Sequence, residues 1–363
     1  MLAVIDRAIE LKRGFRLRDT QRLTVLALLA NDKSTLAQVS TGEGKTIIVV
    51  AITIIKVLLG EKVDIITSSS VLAKRDADEN KDMYELFGLS ASHNCSEVLE
   101  ERKEAYSSNQ IIYGDLGNFQ RDYLLDRVYG KNVLGDRSFQ NVIVDEVDSM
   151  LLDKGNNILY LSHDIAGMDK LESVFVFIWQ MVNNSTDQTE DVSSQWDEAM
   201  HQFLQLKHGC KLSTLSLKAV FISNVTYFKE YELLYGLTGT LGTNEERDLL
   251  KKIHDVDFVT VPTFKMKQFE EYGSIICSSS EDWKQEIRQE VTKLINTEKR
   301  SVLIICETVQ DVEALQLTLG SEEHKNLHIY KRDYEKLTIP KDGLQSGHII
   351  IATNLAGRGT DIK

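Results

Sequence analysis

The sequence predicts an α/β protein built on doubly wound parallel sheets, and three observations lead to that prediction. Short apolar runs alternate with stretches of helical period, which is the order expected when each parallel strand is followed by a crossover helix. A glycine-rich loop stands between one such run and a long apolar stretch. An acidic motif, Asp145-Glu146-Val147-Asp148, follows another apolar run, and Asp145 comes 100 residues after Lys45 of the loop.

The strands and helices of the first part follow from these patterns in chain order. Four short apolar runs predict buried strands, at residues 36–39, 63–67, 110–113 and 142–144. Helical patterns intervene at residues 46–59, 71–87, 96–106 and 116–128. Because ligands of such sheets bind beyond the carboxyl ends of the strands, both motifs fall where a site is expected.

The alternation of predicted strands and helices stops at residue 153 and resumes later in the chain. Residues 153–225 combine an apolar, aromatic stretch with a polar, acidic one, and we expect a mostly helical insertion there. Residues 258–261 are strand-like, and residues 263–272 carry no clear period, so they predict a linker. Further strands are predicted at 274–277, 301–306 and 348–352, with helices at 283–295 and 309–319. About a hundred residues are few for a complete second sheet of this type, so we expect a fragment or a truncated gene product.

The glycine-rich loop contains the residue types that bind phosphate. It consists of Thr41, Gly42, Glu43, Gly44, Lys45 and Thr46. Backbone N–H groups of such a loop, at a helix N-terminus, surround anionic oxygens. Lys45 is expected to reach the β- and γ-phosphates, and the Thr46 hydroxyl to bind Mg²⁺. Val39 stands where the strict eight-residue pattern has its first glycine, so the match is imperfect.

The acidic motif supplies the complementary carboxylates. Asp145 follows the run 142–144, so we expect it at the tip of a buried strand, where it can hold Mg²⁺. Glu146 is expected to orient or deprotonate the attacking water. A chance turn and a solvated acidic run are the alternative, but two motifs in the right order behind predicted strands favour the catalytic interpretation.

Composition limits the classes of function. The chain has 363 residues, 42% of them hydrophobic, and a net charge of −13. That charge disfavours broad nucleic-acid binding, which usually shows a basic domain or stripe. The cysteines are far apart in the chain and predict reduced thiols of an intracellular protein: Cys95, Cys210, Cys277 and Cys306. We find no signal peptide, and the longest apolar run, 47–59, is too short to span a bilayer.

Several local signatures carry a resemblance to a known family. They lie at residues 41–46, 72–77, 113–124, 144–149, 237–240, 261–263 and 352–362. Together they resemble the SecA family, the motor ATPases of bacterial preprotein translocation, over nearly the whole chain. The last signature, Ala352-Thr353-Asn354-Leu355-Ala356-Gly357-Arg358-Gly359-Thr360-Asp361-Ile362, is the most specific.

The resemblance implies a P-loop NTPase with two RecA-like domains. It places the first domain at 1–152 and 226–264, a reduced preprotein-contacting insertion at 153–225, and a partial second domain at 265–363. The cofactors it implies are ATP and Mg²⁺. The partners it implies are unfolded polypeptide or preprotein and either a membrane translocation channel or anionic lipid, in a cytoplasmic protein with peripheral membrane attachment.

The resemblance also implies roles for individual residues. Gln21 resembles the glutamine that reads the adenine edge. Gly239 and Thr240, in Thr238-Gly239-Thr240, resemble the segment that couples nucleotide state to domain movement. Arg358 resembles the arginine that crosses from the second domain to the γ-phosphate, and Asp361 is expected to help shape the same cleft.

Three functions stay open at this point. The first is a SecA-type ATPase motor that acts on polypeptide. The second is a nucleotide-binding switch or interaction module with little intrinsic hydrolysis. The third is a helicase-like ATPase that acts on nucleic acid, which the acidic charge disfavours.

Overall fold

A computed structural model describes residues 1–30, 33–164, 216–266, 270–320, 326–330 and 345–353. It is an α/β structure with parallel sheets, as the sequence predicts. The central part of the insertion, residues 165–215, lies outside the described residues, as do Cys210, Arg358 and Asp361.

The strands and helices have the following bounds. The strands are β1 Thr35–Gln38, β2 Val63–Thr67, β3 Ala91–His93, β4 Ile111–Asp115, β5 Asn141–Asp145, β6 Ile158–Asp164, β7 Ser216–Ser223, β8 Leu233–Thr238, β9 Asp257–Thr260, β10 Val302–Cys306, β11 Leu327–Tyr330 and β12 Ile349–Thr353. The helices are α1 Leu2–Arg13, α2 Asp19–Leu29, α3 Lys45–Leu58, α4 Ser70–Glu85, α5 Leu99–Ser108, α6 Leu116–Arg127, α7 Asn224–Phe228, α8 Asn244–His254, α9 Ser280–Asn296 and α10 Val309–Leu319. A π-helical turn spans Asp148–Asp153.

The larger sheet has seven strands in the order β3-β4-β2-β5-β8-β1-β9, and every neighbouring pair is parallel. Its two faces are covered by separate hydrophobic clusters, so the strands are buried on both sides. The helix α3 lies within one of these clusters, with every residue from Ile48 to Val57 buried. A helix buried on all sides is apolar on nearly every face, and the residues from Ile48 to Val57 are apolar except for Thr53 and Lys56.

Local hydrogen bonds start several helices where strands end. Ser69 accepts a hydrogen bond from Leu72 N at the start of α4, and Asp115 accepts one from Asn118 N at the start of α6. Such caps satisfy N–H groups that have no partner within the helix. They also fix the points at which the chain turns away from the carboxyl edge of the sheet.

The strands of the second unit form a smaller parallel sheet in the order β10-β12-β11. Helices α9 and α10 contribute to a hydrophobic cluster with this sheet, which includes Val291, Leu315 and Ile349. Residues 261–279, which we call the connecting segment, join the two sheets, and no helix or strand occurs in its described residues.

Two sequence predictions need correction. Both ends of the predicted helical insertion are strands, because β6 and β7 pair antiparallel and form a two-stranded stem. The predicted strand at 274–277 is irregular, since no strand of the described part pairs with it, and Ile275 and Ile276 are 62% and 95% exposed.

Candidate functional site

The glycine-rich loop links β1 to the N-terminus of α3. Gly42 and Gly44 have φ values of 83° and 80°, in the left-handed region that favours glycine. A Cβ at Gly44 would also lie 2.5 Å from Gln21 Nε2, so a side chain here would displace the end of Gln21. The loop therefore brings its backbone to the start of a 14-residue helix, which is the arrangement that binds phosphate.

Lys45 and Glu146 form an ion pair across the carboxyl ends of the strands. Lys45 Nζ lies 2.5 Å from Glu146 Oε1, and the two side chains are 12% and 19% exposed. Glu146 adopts a left-handed backbone with φ 62°, and its N–H donates to Leu237 O at 2.9 Å. A non-glycine residue in this conformation is uncommon and is held by its surroundings.

Asp145 ends β5 and has an unsatisfied carboxylate oxygen. Its Oδ1 atom is buried and has no hydrogen-bond partner within the described residues. Burial raises the pKa of Asp145 to about 6, Lys45 lowers the pKa, and Glu146 raises it. A buried, unpaired carboxylate oxygen beside a phosphate-binding loop fits a hard cation such as Mg²⁺. The hydroxyl of Thr46, an exposed residue at the start of α3, is the second oxygen ligand that the sequence predicts.

Gln21 packs against the phosphate loop. Its Nε2 donates to Glu43 O at 2.8 Å, and its Oε1 accepts from Arg18 N at 2.9 Å. One N–H and one lone pair of the amide remain for a ligand. These two hydrogen bonds fix the position of the Gln21 side chain. Its role in reading an adenine edge stays a prediction.

The segment Thr238–Thr240 connects the loop and the acidic motif. A Cβ at Gly239 would meet Thr41 Oγ1 at 3.2 Å, so this glycine lies directly beside the phosphate loop. Thr240 Oγ1 donates to Asp148 Oδ2 at 2.7 Å. Because the segment contacts both the phosphate loop and the acidic motif, a shift of one motif would move the segment against the other, as a coupling segment requires.

The structure brings together most of the residues that the sequence predicts for the site, from the loop, β5 and β8. Sequence reasoning assigned no role to three residues that contact them: Arg18, Asp148 and Phe264. Asp148 lies in the acidic motif and Arg18 stands three residues before Gln21, so their neighbours in sequence were a usable signal. Phe264 follows β9, and no pattern in the sequence singles it out.

The model of the SecA DEAD-like domain matches residues 1–249. The chain belongs to this family. It is 26% identical over 417 aligned residues to protein translocase subunit SecA 1 of Clostridioides difficile (strain 630), covering 94% of this chain and 46% of that protein. The chain therefore spans about half the length of the curated relative that it matches. The family resemblance predicted from the sequence is confirmed.

Solved structures show the same fold at low identity. Dbp5 of S. cerevisiae, bound to RNA and ADP BeF3, has a TM-score of 0.53 and 18% identity, with 98% of this chain and 75% of that chain covered. The DUF1998 helicase MrfA, bound to DNA and AMPPNP, has a TM-score of 0.52 and 10% identity, with 99% and 44% covered. Both likenesses concern the fold, and with the family match they confirm the helicase-type, RecA-like α/β class.

No helix within the described residues combines the length and the apolar character that crossing a membrane requires.

Proposed function

We propose that this chain is a magnesium-dependent ATPase of SecA type that couples nucleotide turnover to the movement of polypeptide. The observation that carries the proposal is the Lys45–Glu146 ion pair at 2.5 Å, next to a buried and unpaired oxygen of Asp145. This arrangement joins a phosphate-binding lysine, a water-orienting carboxylate and a cation ligand in one small volume.

Each residue of the site would have a defined role in ATP hydrolysis. Lys45 would leave Glu146 for the phosphate oxygens, which carry more negative charge than a single carboxylate. Glu146 would then be free to orient or accept a proton from the attacking water. Asp145 and Thr46 would hold Mg²⁺, which supplies positive charge against the developing charge on the phosphates. Arg358 would add a second positive charge from the second unit, and Asp361 would shape the same cleft.

The proposed domain organisation follows the two sheets. The first RecA-like domain comprises 1–152 and 226–264, the insertion 153–225, and the partial second domain 265–363. The sheet supports the assignment of residues 226–264 to the first domain. Strands β8 and β9 follow the insertion in sequence, but they lie in one sheet with the N-terminal strands.

Polypeptide is the substrate class that we propose. The stem exposes Ile158, Tyr160 and Phe221 at 41%, 43% and 64%, and apolar and aromatic groups suit unfolded chain better than phosphodiester. The net charge of −13 also opposes binding to nucleic acid. A translocation channel or anionic lipid is the proposed membrane partner of a cytoplasmic, peripherally attached protein.

Steady-state ATP turnover by the wild-type chain, beside Glu146→Gln and Glu104→Gln, tests the proposal. Glu104 is an exposed glutamate of α5 and serves as a matched control. We expect ATP binding in all three proteins and turnover in the wild type and the control only. If Glu146→Gln turns over ATP at the wild-type rate, Glu146 has no part in the mechanism. If all three proteins bind ATP and none of them hydrolyses it, the nucleotide-binding switch is favoured.

The substrate is tested separately by adding unfolded polypeptide, anionic vesicles or single-stranded RNA to the turnover assay. We expect polypeptide or anionic lipid to stimulate the rate. Stimulation by RNA alone would replace the polypeptide motor by a helicase-like enzyme.

A further inference from the structure

The side chain of Glu43 has no evident role in binding phosphate. A loop of this kind holds phosphate through backbone N–H groups, and a carboxylate near the same anion would repel it. The Glu43 side chain is nevertheless only 15% exposed. Its carboxylate must therefore be engaged elsewhere in the structure.

The carboxylate of Glu43 contacts the connecting segment. Its Oε1 accepts a hydrogen bond from the backbone N–H of Phe264 at 3.2 Å, and its Oε2 lies 3.5 Å from Arg18 Nη1. The Arg18 guanidinium lies over the Phe264 ring, 5.0 Å from its centroid, in a cation–π contact. Three parts of the chain that are distant in sequence thus meet at one residue of the phosphate loop.

The backbone of Glu43 is also engaged within the protein. Its N–H donates to Ser40 O at 3.1 Å, and its carbonyl oxygen accepts from Gln21 Nε2 at 2.8 Å. A phosphate that recruits this N–H would have to turn the peptide away from Ser40. Because the side chain is carried by the same residue, we expect that turn to displace the carboxylate from Phe264.

We propose that Glu43 and Phe264 form a latch that ties the connecting segment to the phosphate loop and is loosened when nucleotide binds. Glu43 is then a positioning residue that transmits the occupancy of the loop to the segment leading to the second unit. The proposal rests on the proposed function, since it requires that the loop binds a nucleotide.

Amide hydrogen exchange of peptides that cover residues 262–266, with and without saturating ADP, tests the latch in the full chain. In the wild type we expect ADP to speed exchange of the Phe264 N–H about fivefold, as for the loss of one ordinary hydrogen bond. In Glu43→Ala this exchange should be fast without ADP and should not respond to ADP at a concentration shown to saturate the variant. Glu43→Gln keeps an oxygen acceptor and should restore the response, and Glu104→Ala should behave as the wild type.

The outcomes separate the latch from the nucleotide site. A Glu43→Ala chain that responds to ADP as the wild type does would overturn the latch. The latch would also be overturned if the wild type binds ADP and hydrogen exchange at residues 262–266 does not change. The proposed function would still stand in that case. A wild type that binds no ADP would overturn the proposed function and the latch together.

Discussion

Lys45 is the residue on which nucleotide affinity should depend most. It is the lysine of the phosphate loop, and its partner Glu146 would lose the ion pair if Lys45 were removed. We expect Lys45→Ala to weaken ADP binding by about a hundredfold or more, since charge-assisted contacts to phosphate are among the strong ones. Titration calorimetry measures this, with Lys81→Ala, an exposed lysine of α4, as the control. If Lys45→Ala binds ADP with an affinity within a few-fold of the wild type, the phosphates do not bind at this loop.

His254 should make stability depend on pH. Burial, and to a smaller extent the nearby charge of Lys229, lowers its pKa from the usual 6.5 to about 4. Between these values the unfolded chain binds a proton that the folded chain does not. The stabilisation is therefore complete above pH 6.5 and is lost as the pH falls towards 4.

The comparison of wild type with His254→Gln isolates this contribution. At pH 5 we expect the wild type to lose about 1–2 kcal/mol of unfolding free energy relative to pH 7.5, beyond the loss in the variant, after allowing for partial exposure. Urea denaturation at both pH values measures the difference. If the unfolding free energies of the two proteins change with pH in parallel, His254 is protonated as readily in the folded chain as in the unfolded chain.

Single residues also show where a family signature reflects packing and not chemistry. The signature at 113–124 resembles the family, but a Cβ at Gly114 would overlap the side chain of Asn94. Asp122 is fully buried and accepts a hydrogen bond from Tyr106 OH at 3.1 Å. Sequence alone indicated these positions, and the contacts with Asn94 and Tyr106 that help to explain them lie outside the signature.

At the scale of elements, one buried ion pair joins several strand ends. Arg137 donates to Asp64 Oδ1 from Nη2 at 2.6 Å and from Nε at 3.0 Å. It also donates to the carbonyl oxygens of Val63, Asn109 and Gln110. These contacts fix the start of β2 and β4 to the loop before β5.

Removal of the arginine should destabilise the whole sheet. We expect Arg137→Met to cost about 3–5 kcal/mol of unfolding free energy, because the Asp64 charge stays buried without its partner. The double variant Asp64→Asn/Arg137→Met should recover part of that loss. Urea denaturation measures both, and Arg127→Met, at an exposed site, should change stability by less than about 0.5 kcal/mol. A loss below about 1 kcal/mol for Arg137→Met would show that water reaches Asp64.

The sequence predicted the elements well where each carries its own pattern. The strand at 63–67 has the predicted bounds, because Val63, Ile65 and Ile66 mark it as apolar and Ser68 and Ser69 end it. Strand β3 escaped prediction, since three residues with polar Ser92 and His93 show no apolar run. The stem was missed because its two strands stabilise each other across an insertion of more than fifty residues, and such a pairing leaves no local signal.

At the scale of the whole molecule, the site is assembled from distant parts. Lys45, Glu146 and Thr240 come together because β8 lies between β5 and β1. The motifs predicted where the phosphate loop and the acidic pair lie, beyond the carboxyl ends of strands. They could not predict the contact of Arg18 with Phe264, because it depends on where the chain leaves β9.

A prediction at this scale concerns the two units acting together. Arg358→Ala should lower ATP turnover at least tenfold, since an arginine that neutralises transition-state charge contributes orders of magnitude in rate. ATP affinity should change by only a few-fold, because the loop and Gln21 are untouched. Rapid-mixing measurement of a single turnover separates the two quantities. An unchanged rate would mean that hydrolysis proceeds on the first unit alone.

The position of β8 has a consequence for how the protein is made. Strand β1 pairs with β8 in the register Thr35 to Tyr235, so the loop-bearing strand meets its partner only after some two hundred further residues have been synthesised. Until then β1 has no partner strand and β5 has one free edge, and such unpaired strands readily join other chains. Domains with such long-range pairing fold slowly and expose apolar surface while they wait. The nascent chain should therefore depend on chaperones for longer than a protein of this length with local pairing, and the phosphate loop should be among the last parts to become ordered.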